Sequence, residues 1–575
     1  MAHHAASTSR AITRALEAME GKPEEELAAL HRLKTVFAKH AGGSGSSTAT
    51  NGELLTALAK AILDDGANEF RVHTSELDAS HPSCVSSPAS APFKCPTRRF
   101  GRTELQMPIL TLGGMRMQQT WQPSEGFSMA DVTAECQSNF EAIIARALQL
   151  GINHIETAKG YGSSELQYGQ ALRNLGVPRS SYILQTKVRP MADTAEFSRT
   201  LDQSFAHLGT HLDLFGFHGI NRPEHLEWIT RPGGCLEVVR EYQHQGKIKF
   251  IGFSTHAPTP VIVKAIETGI FDYVNLHYHA IGSYTSSGTS QSVAEGPGNW
   301  EALRAAHRKD MGVFIISAAD KGGMLYRPPK ALVRLCSPLS PLIYNMLWLW
   351  NLSTGTTNPS SSSSIDASPS SPPAIHTLVI GAARPSDFNE AAAAAKLFFE
   401  MKAEDPSTPL LRRVDERLQK AYREVWGEGW EDDWWMDLPD CYQNPFGVHV
   451  AQIVWMWSIT KAYGLHRYST MQYSKMEGQV QAWEEKKDLP LPERMAAVFD
   501  WTPGLPYDPS GPHQDLTSFL PAHRAERLLC ILREASYWFG KETTEKVELD
   551  PREKEGWVDA YDLQLDVPFP ERVAP

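Results

Sequence analysis

The stretch GINHIETAKGYGSSE, residues 151–165, indicates how the rest of the chain folds. A short β-like run at 154–157 carries a carboxylate, Glu156, and a loop containing Tyr161 separates it from a helical pattern at 164–175. The stretch is therefore one strand–loop–helix unit. It places an acidic and a phenolic side chain together where the strand ends.

The same unit recurs on both sides of this stretch. Candidate strands lie at 109–112, 154–157, 182–187, 212–218, 249–254, 273–277, 312–317 and 376–380. Helical patterns follow them at 140–148, 164–175, 195–208, 236–245, 258–268, 300–307, 338–350 and 387–399. Eight strand–helix pairs in roughly 300 residues predict a closed (β/α)₈ TIM barrel of the α/β class. An open doubly wound sheet is the alternative, but no G-x-G-x-x-G follows the first strand.

The barrel pattern occupies 98–400 and leaves long flanking segments. Residues 1–97 are predicted to form a helical and disordered extension, 401–482 a mostly helical one, and 483–575 a tail of unknown role. The Ser-rich stretch 353–373 interrupts the barrel and is predicted to be disordered. Because it lies between the seventh helix and the eighth strand, we expect it on the face opposite the catalytic one.

Composition excludes several classes of function. The 575 residues carry 55 Lys+Arg against 67 Asp+Glu, a net charge of −12, which argues against nucleic-acid binding. The seven cysteines never form C-x-x-C, so we expect reduced thiols and no metal site. The longest apolar run, 341–350, is too short to span a bilayer. We expect a cytoplasmic protein without membrane contact; organelle import is the alternative, since the first 16 residues faintly resemble a transit peptide.

Four side chains with proton-transfer chemistry lie at strand ends on one side of the predicted barrel. Glu156, Lys187 and His218 end their strands, and Tyr161 follows one. A nearby ammonium lowers the pKa of a tyrosine, and a carboxylate keeps the lysine charged and oriented. Such a tyrosine can protonate an oxygen when a carbonyl is reduced, with the histidine orienting that oxygen.

These residues resemble the signature of the aldo-keto reductases. Residues 151–165 are similar to the family pattern G-[IV]-N-x-[FI]-D-T-A-x-x-Y-G-x-S-E, and 98–117, 246–255, 321–325 and 381–391 resemble further family segments in the right order. The resemblance implies Tyr161 as proton donor, with Glu156, Lys187 and His218 completing the catalytic group. The carboxylate is Glu where the family usually has Asp.

The resemblance also implies NADPH as cofactor and a small carbonyl compound as substrate. The positions that match the family's cofactor site are Gly114, Met115, Ser254, Asn275, Ser317, Lys321, Gly381, Arg384 and Asp387. Several neighbours depart from the family pattern: Thr255 and Ala391 replace Asn, Asn275 replaces Gln, and Ile316 replaces an aromatic residue.

A narrower resemblance is to reductases with a C-terminal ferredoxin-like extension. Residues 438–453 resemble their cluster motif, but only Cys441 of its cysteines remains. We therefore expect no iron–sulfur cluster, and Tyr442, Phe446, Trp455 and Trp457 are predicted to fill that volume.

Purely structural roles for the same residues stay open beside the catalytic interpretation. Lys187 and Glu156 could form a structural ion pair, and His218 could be a buried structural histidine. Arg384 could be a solvated surface arginine. His277 and His279 are interpreted as pocket lining, because H-x-H without carboxylates is a weak metal signal. The principal hypothesis is an NADPH-dependent carbonyl reductase. The alternative is a non-catalytic NADPH-binding barrel that acts as a sensor or interaction subunit; the sequence names no protein partner.

Overall fold

The computed structural model describes residues 93–281, 299–319, 324–352, 375–400, 407–427, 437–499 and 504–540. Eight of its strands form a closed parallel barrel. The strands are β3 (Leu110–Gly113), β4 (His154–Glu156), β5 (Ile183–Val188), β6 (Leu212–His218), β7 (Ile248–Ser254), β8 (Tyr273–Leu276), β9 (Gly312–Ile315) and β10 (Thr377–Gly381). The (β/α)₈ barrel predicted from the sequence is confirmed.

Each strand pairs with its neighbours along the chain, and β10 closes the barrel against β3. The register places Gly381 beside Gly113, Gly113 beside Glu156, and His218 beside Ser254. Because all strands are parallel, their carboxyl ends meet at one mouth. The predicted site residues on β4 to β8 therefore lie around one opening.

Helices surround the barrel and continue beyond it. Those of the barrel are α1 (Ala134–Gln149), α2 (Ser164–Asn174), α3 (Thr194–Leu208), α4 (Pro223–Thr230), α5 (Cys235–His244), α6 (Thr259–Glu267), α7 (Trp300–Arg308), α8 (Lys330–Cys336), α9 (Pro341–Leu352) and α10 (Asn389–Glu400). Later ones are α11 (Ser407–Trp426), α12 (Val450–Tyr463), α13 (His466–Glu477), α14 (Val480–Glu485), α15 (Leu491–Val498) and α16 (Ala525–Phe539).

A hairpin closes the amino end of the barrel. It consists of β1 (Thr97–Arg99) and β2 (Gln106–Pro108), paired antiparallel. Phe100, at its turn, is fully buried and packs on Phe314 with ring centroids 4.6 Å apart. Gly312 makes room for that ring, since a Cβ there would lie 2.3 Å from Phe100 Cζ. This end of the barrel interior is therefore filled with apolar side chains.

Helix α9 differs from an ordinary barrel helix because it is buried on every side. An outer helix normally exposes one polar face, but α11 of the C-terminal extension packs over α9 and α8. Trp350 and Trp426 belong to the same core as the barrel helices. Trp455 and Trp457 of the C-terminal extension are buried as well.

Several sequence predictions concern segments outside the described residues. They are most of the N-terminal extension, the Ser-rich insert, Lys321 and the end of the tail. The domain boundaries therefore stay predictions. Among the helices of the described residues, none is both long and apolar enough to cross a membrane.

Candidate active site

A buried ion pair occupies the carboxyl end of the barrel interior. Lys187 Nζ donates to Glu156 Oε1 and, at 2.7 Å, to the Thr157 carbonyl. The two side chains are 1% and 2% exposed, so water screens their attraction little. Gly216 on the neighbouring strand leaves space for the lysine, because a Cβ there would lie 3.0 Å from Lys187 Cγ. The pair is thus held inside the barrel and not on its rim.

Tyr161 contacts both members of this pair. Its hydroxyl donates to Glu156 Oε1 at 3.5 Å, and Lys187 Nζ lies 4.8 Å from the centre of its ring. A backbone hydrogen bond of 2.9 Å to the Ala158 carbonyl holds the loop that carries it. The lysine therefore faces the ring, while the carboxylate faces the hydroxyl.

This geometry corrects one expectation from the sequence. We expected Lys187 to lower the pKa of Tyr161, but burial and the Glu156 carboxylate raise that pKa well above its ordinary value. Because the Glu156 side chain accepts a hydrogen bond from the phenol, ionisation of the phenol would put two negative groups together. Tyr161 is thus a protonated phenol at neutral pH.

His218 completes the group from the end of β6. Its ring meets the Tyr161 ring edge-on, with centroids 5.4 Å apart. Burial lowers the pKa of His218 well below its ordinary value, and the charges of Lys187 and Arg189 add to that effect. The imidazole is therefore neutral at physiological pH and retains one N–H and one lone pair. The structure brings together all four residues that the sequence predicted as catalytic.

Ser254 and Asn275 lie next to His218 around the mouth. The register places His218 beside Ser254 and Ser254 beside Asn275. Ser254 Oγ accepts from the Gly219 amide at 3.1 Å, and Asn275 Oδ1 accepts from Gln185 at 3.2 Å. Asn275 Nδ2 is buried and has no hydrogen-bond partner among the described residues. This side of the mouth therefore offers an unused donor.

Gly114 and Met115 begin the loop that follows β3. The Gly114 amide donates to the Glu156 carbonyl at 2.8 Å, and its carbonyl accepts from Ser164 Oγ at 2.9 Å. A Cβ at Gly114 would lie 2.5 Å from the Tyr168 ring, so only glycine fits. Met115 is 45% exposed at the rim. Gly114 therefore fixes the loop beside Glu156, and Met115 is accessible to a ligand.

Ser317 follows β9 in an uncommon backbone conformation. Its φ is +58°, in the left-handed region that a residue with a side chain rarely adopts. Such strain is concentrated at functional sites because the surroundings must maintain it. Lys321, predicted nearby, lies outside the described residues.

The remaining predicted cofactor residues follow β10. Arg384 Nε donates to Asp387 Oδ1 at 2.9 Å, and Asp387 Oδ2 accepts from the Ala383 amide at 2.8 Å. Asp387 therefore caps the turn and orients the arginine. This role is distinct from direct contact with a ligand. Ser386 Oγ beside them is buried and has no hydrogen-bond partner among the described residues. Gly381 ends β10 beside Gly113.

These donors fit a nicotinamide dinucleotide along the rim. The buried Asn275 amide suits an acceptor such as a carboxamide oxygen, and Ser386 with Arg384 suits a phosphate. The turn after Arg384 leads into α10, and the amino end of a helix attracts anions. The residues that would hold the two ends of such a cofactor thus belong to β8 and to the turn after β10, two strands that are separated in the barrel by β9 alone.

Sequence reasoning missed Trp121, in the loop after β3. Its indole is 54% exposed and meets the Tyr161 ring edge-on with centroids 6.3 Å apart. Backbone pairing holds it there, since the Ser163 amide donates to the Thr120 carbonyl at 3.0 Å. The loop has no periodicity, so nothing in the sequence indicated that this tryptophan reaches the site.

Metal chemistry has no support in the described part of the chain. Among those residues, no group of three or more His, Cys, Asp or Glu side chains has an arrangement that would hold a metal ion. His277 is hydrogen-bonded to His256 at 3.1 Å and lies 3.5 Å from His279 through ring nitrogens. These imidazoles therefore contact one another at the mouth.

Part of the chain is similar in sequence to known proteins. The Aldo/keto reductase family model matches residues 110–281. An aldo-keto reductase of Mycolicibacterium smegmatis is 32% identical over 157 residues, which are 27% of this chain and 53% of that protein. D-arabinose 1-dehydrogenase of Saccharomyces cerevisiae is 36% identical over 125 residues, which are 20% of this chain and 36% of that protein. The chain spans about half the length, or less, of the curated relatives it matches.

Solved structures include similar folds. An aldo-keto reductase of Klebsiella pneumoniae in complex with NADPH is 18% identical, with a TM-score of 0.38, and the alignment covers 56% of this chain and 94% of that one. The residues matched by the family model include the Glu156–Tyr161 loop, Lys187 and His218. Within its barrel, this chain is therefore similar to the aldo/keto reductases over residues 110–281.

Proposed function

We propose that this protein reduces the carbonyl group of a small aldehyde or ketone with NADPH, and that Tyr161 is the proton donor. One observation carries the proposal. Tyr161, Glu156, Lys187 and His218 contact one another at the mouth of the barrel, beside residues that fit a nicotinamide cofactor. When bound, that cofactor would supply the hydride for the carbonyl carbon.

The chain's own residues would manage the proton. Tyr161 holds it at neutral pH, because burial and Glu156 raise the pKa of the phenol. As negative charge develops on the carbonyl oxygen, that oxygen becomes more basic than the phenolate and takes the proton. The ammonium of Lys187, 4.8 Å from the ring centre, would stabilise the phenolate left behind.

His218 would orient the substrate. A neutral imidazole beside Tyr161 can donate one hydrogen bond to the carbonyl oxygen without competing for the tyrosine's proton. Trp121 and Met115, both exposed at the rim, would contact the rest of the substrate. The substrate would thus lie between the loop after β3 and the end of β6.

The test measures binding and turnover separately. NADPH fluorescence is titrated with the full chain, and NADPH consumption is then followed with a panel of aldehydes and quinones; NADH is run in parallel. Binding followed by consumption is the expected result. Binding without consumption would contradict catalysis and favour the sensor or interaction subunit. A chain that binds neither nucleotide would contradict both hypotheses.

A further inference from the structure

Asn345, on the buried helix α9, joins two loops at the mouth of the barrel. Its side-chain oxygen accepts from the Ala280 amide at 2.8 Å, and its side-chain nitrogen donates to the Ala318 carbonyl at 2.9 Å. The residue is 0% exposed. Neither loop is near α9 in sequence, so a single amide connects three distant segments.

Both joined backbones adjoin predicted cofactor residues. Ala318 directly follows Ser317, whose strained φ of +58° needs support from its surroundings. Ala280 ends the segment that leads from Asn275, the residue with the unused buried amide. The Asn345 amide therefore fixes the distance between the loop that follows β8 and the loop that follows β9.

The helix itself contacts both the first loop and the C-terminal helix α11. One turn along α9, Trp348 stacks on Tyr278 of the first loop with centroids 5.7 Å apart. One turn earlier on α9, the Tyr344 hydroxyl donates to Asp415 of α11, and Arg417 of α11 donates to the Ser337 carbonyl before α9. The C-terminal extension therefore holds the helix that holds the loops.

We propose that Asn345 is a positioning residue for the nicotinamide end of the cofactor site, and that α11 secures it through Tyr344. The inference rests on the proposed function. A bidentate amide matches both backbone groups, and an apolar side chain would leave the partly buried Ala280 N–H and the buried Ala318 C=O without this partner. The loops would then separate or rotate, and a cofactor bound between them would lose contacts.

The first test replaces Asn345 by Leu, which has a similar volume and no polar atoms. Asn345→Leu should raise the Kd for NADPH, measured by fluorescence, about tenfold or more. The control is Asn351→Leu, which removes another buried amide of α9, one that donates at 2.9 Å to the Leu347 carbonyl of the same helix. Both variants should lower the melting temperature, but only the first should weaken NADPH binding. Equal Kd values for Asn345→Leu and the parent, or equal weakening in both variants, would overturn the inference.

The second test uses pH and does not depend on the Leu variant folding. In Asn345→Asp, a protonated carboxyl can accept from Ala280 and donate to Ala318 as the amide does, whereas the ionised form places an oxygen against the Ala318 carbonyl. Burial favours the protonated form. The ratio of the variant's Kd to the parent's should therefore fall as pH is lowered from about 8.5 to about 6. A ratio independent of pH would contradict the positioning role; a parent that binds no NADPH would overturn the proposed function as well.

Discussion

At the amino end of the barrel, Phe100 packs against Phe314 and Tyr273, and the polar side chains of His154 and Thr111 are hydrogen-bonded to each other. At the carboxyl end, the same strands enclose Glu156, Lys187 and the unused amide of Asn275. Tyr273 and Asn275 show the transition, since both are on β8 and both contact Gln185 in the middle of the barrel. One end is filled to lower the energy of the fold, and the other keeps polar groups whose best partners come from a ligand.

The difference has a physical basis. Apolar rings gain free energy from burial wherever they lie, but a buried charge or donor is stable only with partners in place. The chain tolerates such groups at the mouth because the other end supplies stability. Substitutions at the mouth should therefore affect chemistry, with a loss of stability as well where a buried charge loses its partner, and those at the amino end should affect unfolding alone.

Replacement of Tyr161 by Phe should have the largest effect. The change removes the proton donor and leaves the ring contacts with Lys187 and His218, so turnover should fall by about 10²–10⁴ with the Kd for NADPH nearly unchanged. Tyr168→Phe is the matched control, since its hydroxyl is also buried and has no hydrogen-bond partner among the described residues. Steady-state kinetics with substantial turnover left in Tyr161→Phe would remove Tyr161 from the mechanism.

Glu156→Gln should combine a loss of turnover with a loss of stability. It leaves the Lys187 ammonium buried without its carboxylate, which costs about 3–5 kcal/mol. It also removes one cause of the raised Tyr161 pKa, so the alkaline limb of the kcat profile should move to lower pH. Glu156→Asp keeps the charge and should keep substantial activity. Equal pH profiles for the Gln variant and the parent would show that this carboxylate does not act on Tyr161.

Phe100→Ala should separate stability from chemistry. The ring is fully buried, and its removal should cost about 3–5 kcal/mol of unfolding free energy, measured by urea denaturation. The catalytic residues are at the other end, so kcat per folded molecule should stay within about twofold of the parent. A large fall in kcat with little change in stability would contradict the division between the two ends.

The contrast between the two ends could be predicted only in part. Strand ends and the 151–165 pattern placed Glu156, Tyr161, Lys187 and His218 at one mouth, because parallel strands put their carboxyl ends together. The predicted direction of the Tyr161 pKa shift was wrong, because the burial of the phenol and its hydrogen bond to Glu156 depend on the three-dimensional structure. Asn345 and Trp121 could not be predicted either, because their partners lie far away in sequence and neither belongs to a periodic pattern.

His154 should make the amino half of the barrel sensitive to acid. Its Nδ1 lies 2.8 Å from Thr111 Oγ1 and its ring stacks on Phe314, with centroids 5.0 Å apart. Burial, with a smaller contribution from the Lys187 charge, lowers its pKa to about 3. Below about pH 6.5, the ordinary pKa of a histidine, His154 is protonated in the unfolded chain but stays neutral in the folded one. Stability is therefore lost as the pH falls from about 6.5 toward about 3.

At pH 4.5 this single histidine should cost about 2.7 kcal/mol, two pKa units at 1.36 kcal/mol each. His154→Gln should therefore lose less stability between pH 7 and pH 4.5 than the parent, measured by urea denaturation at each pH. His244→Gln is the control, because that side chain is 79% exposed. Parallel pH dependences for His154→Gln and the parent would show that His154 does not resist protonation in the fold.

The smallest expected effect is on the preference for NADPH over NADH. The residues that would determine it lie at the rim of the barrel and not in its interior. Arg384 is the predicted contact for the 2′-phosphate, but its guanidinium is already paired with Asp387. Because a phosphate would share that arginine with a carboxylate, Arg384→Ala should weaken NADPH binding only about tenfold and leave the Kd for NADH nearly unchanged. Arg116→Ala tests the other arginine at this rim, which donates to the Gly381 carbonyl at 3.3 Å and lies over the Tyr326 ring at 5.5 Å. If Arg116→Ala alone weakened NADPH binding selectively, the phosphate would belong to the loop after β3. The mouth would then hold its cofactor from the β3 side, and Asp387 with Arg384 would serve only to cap the turn before α10.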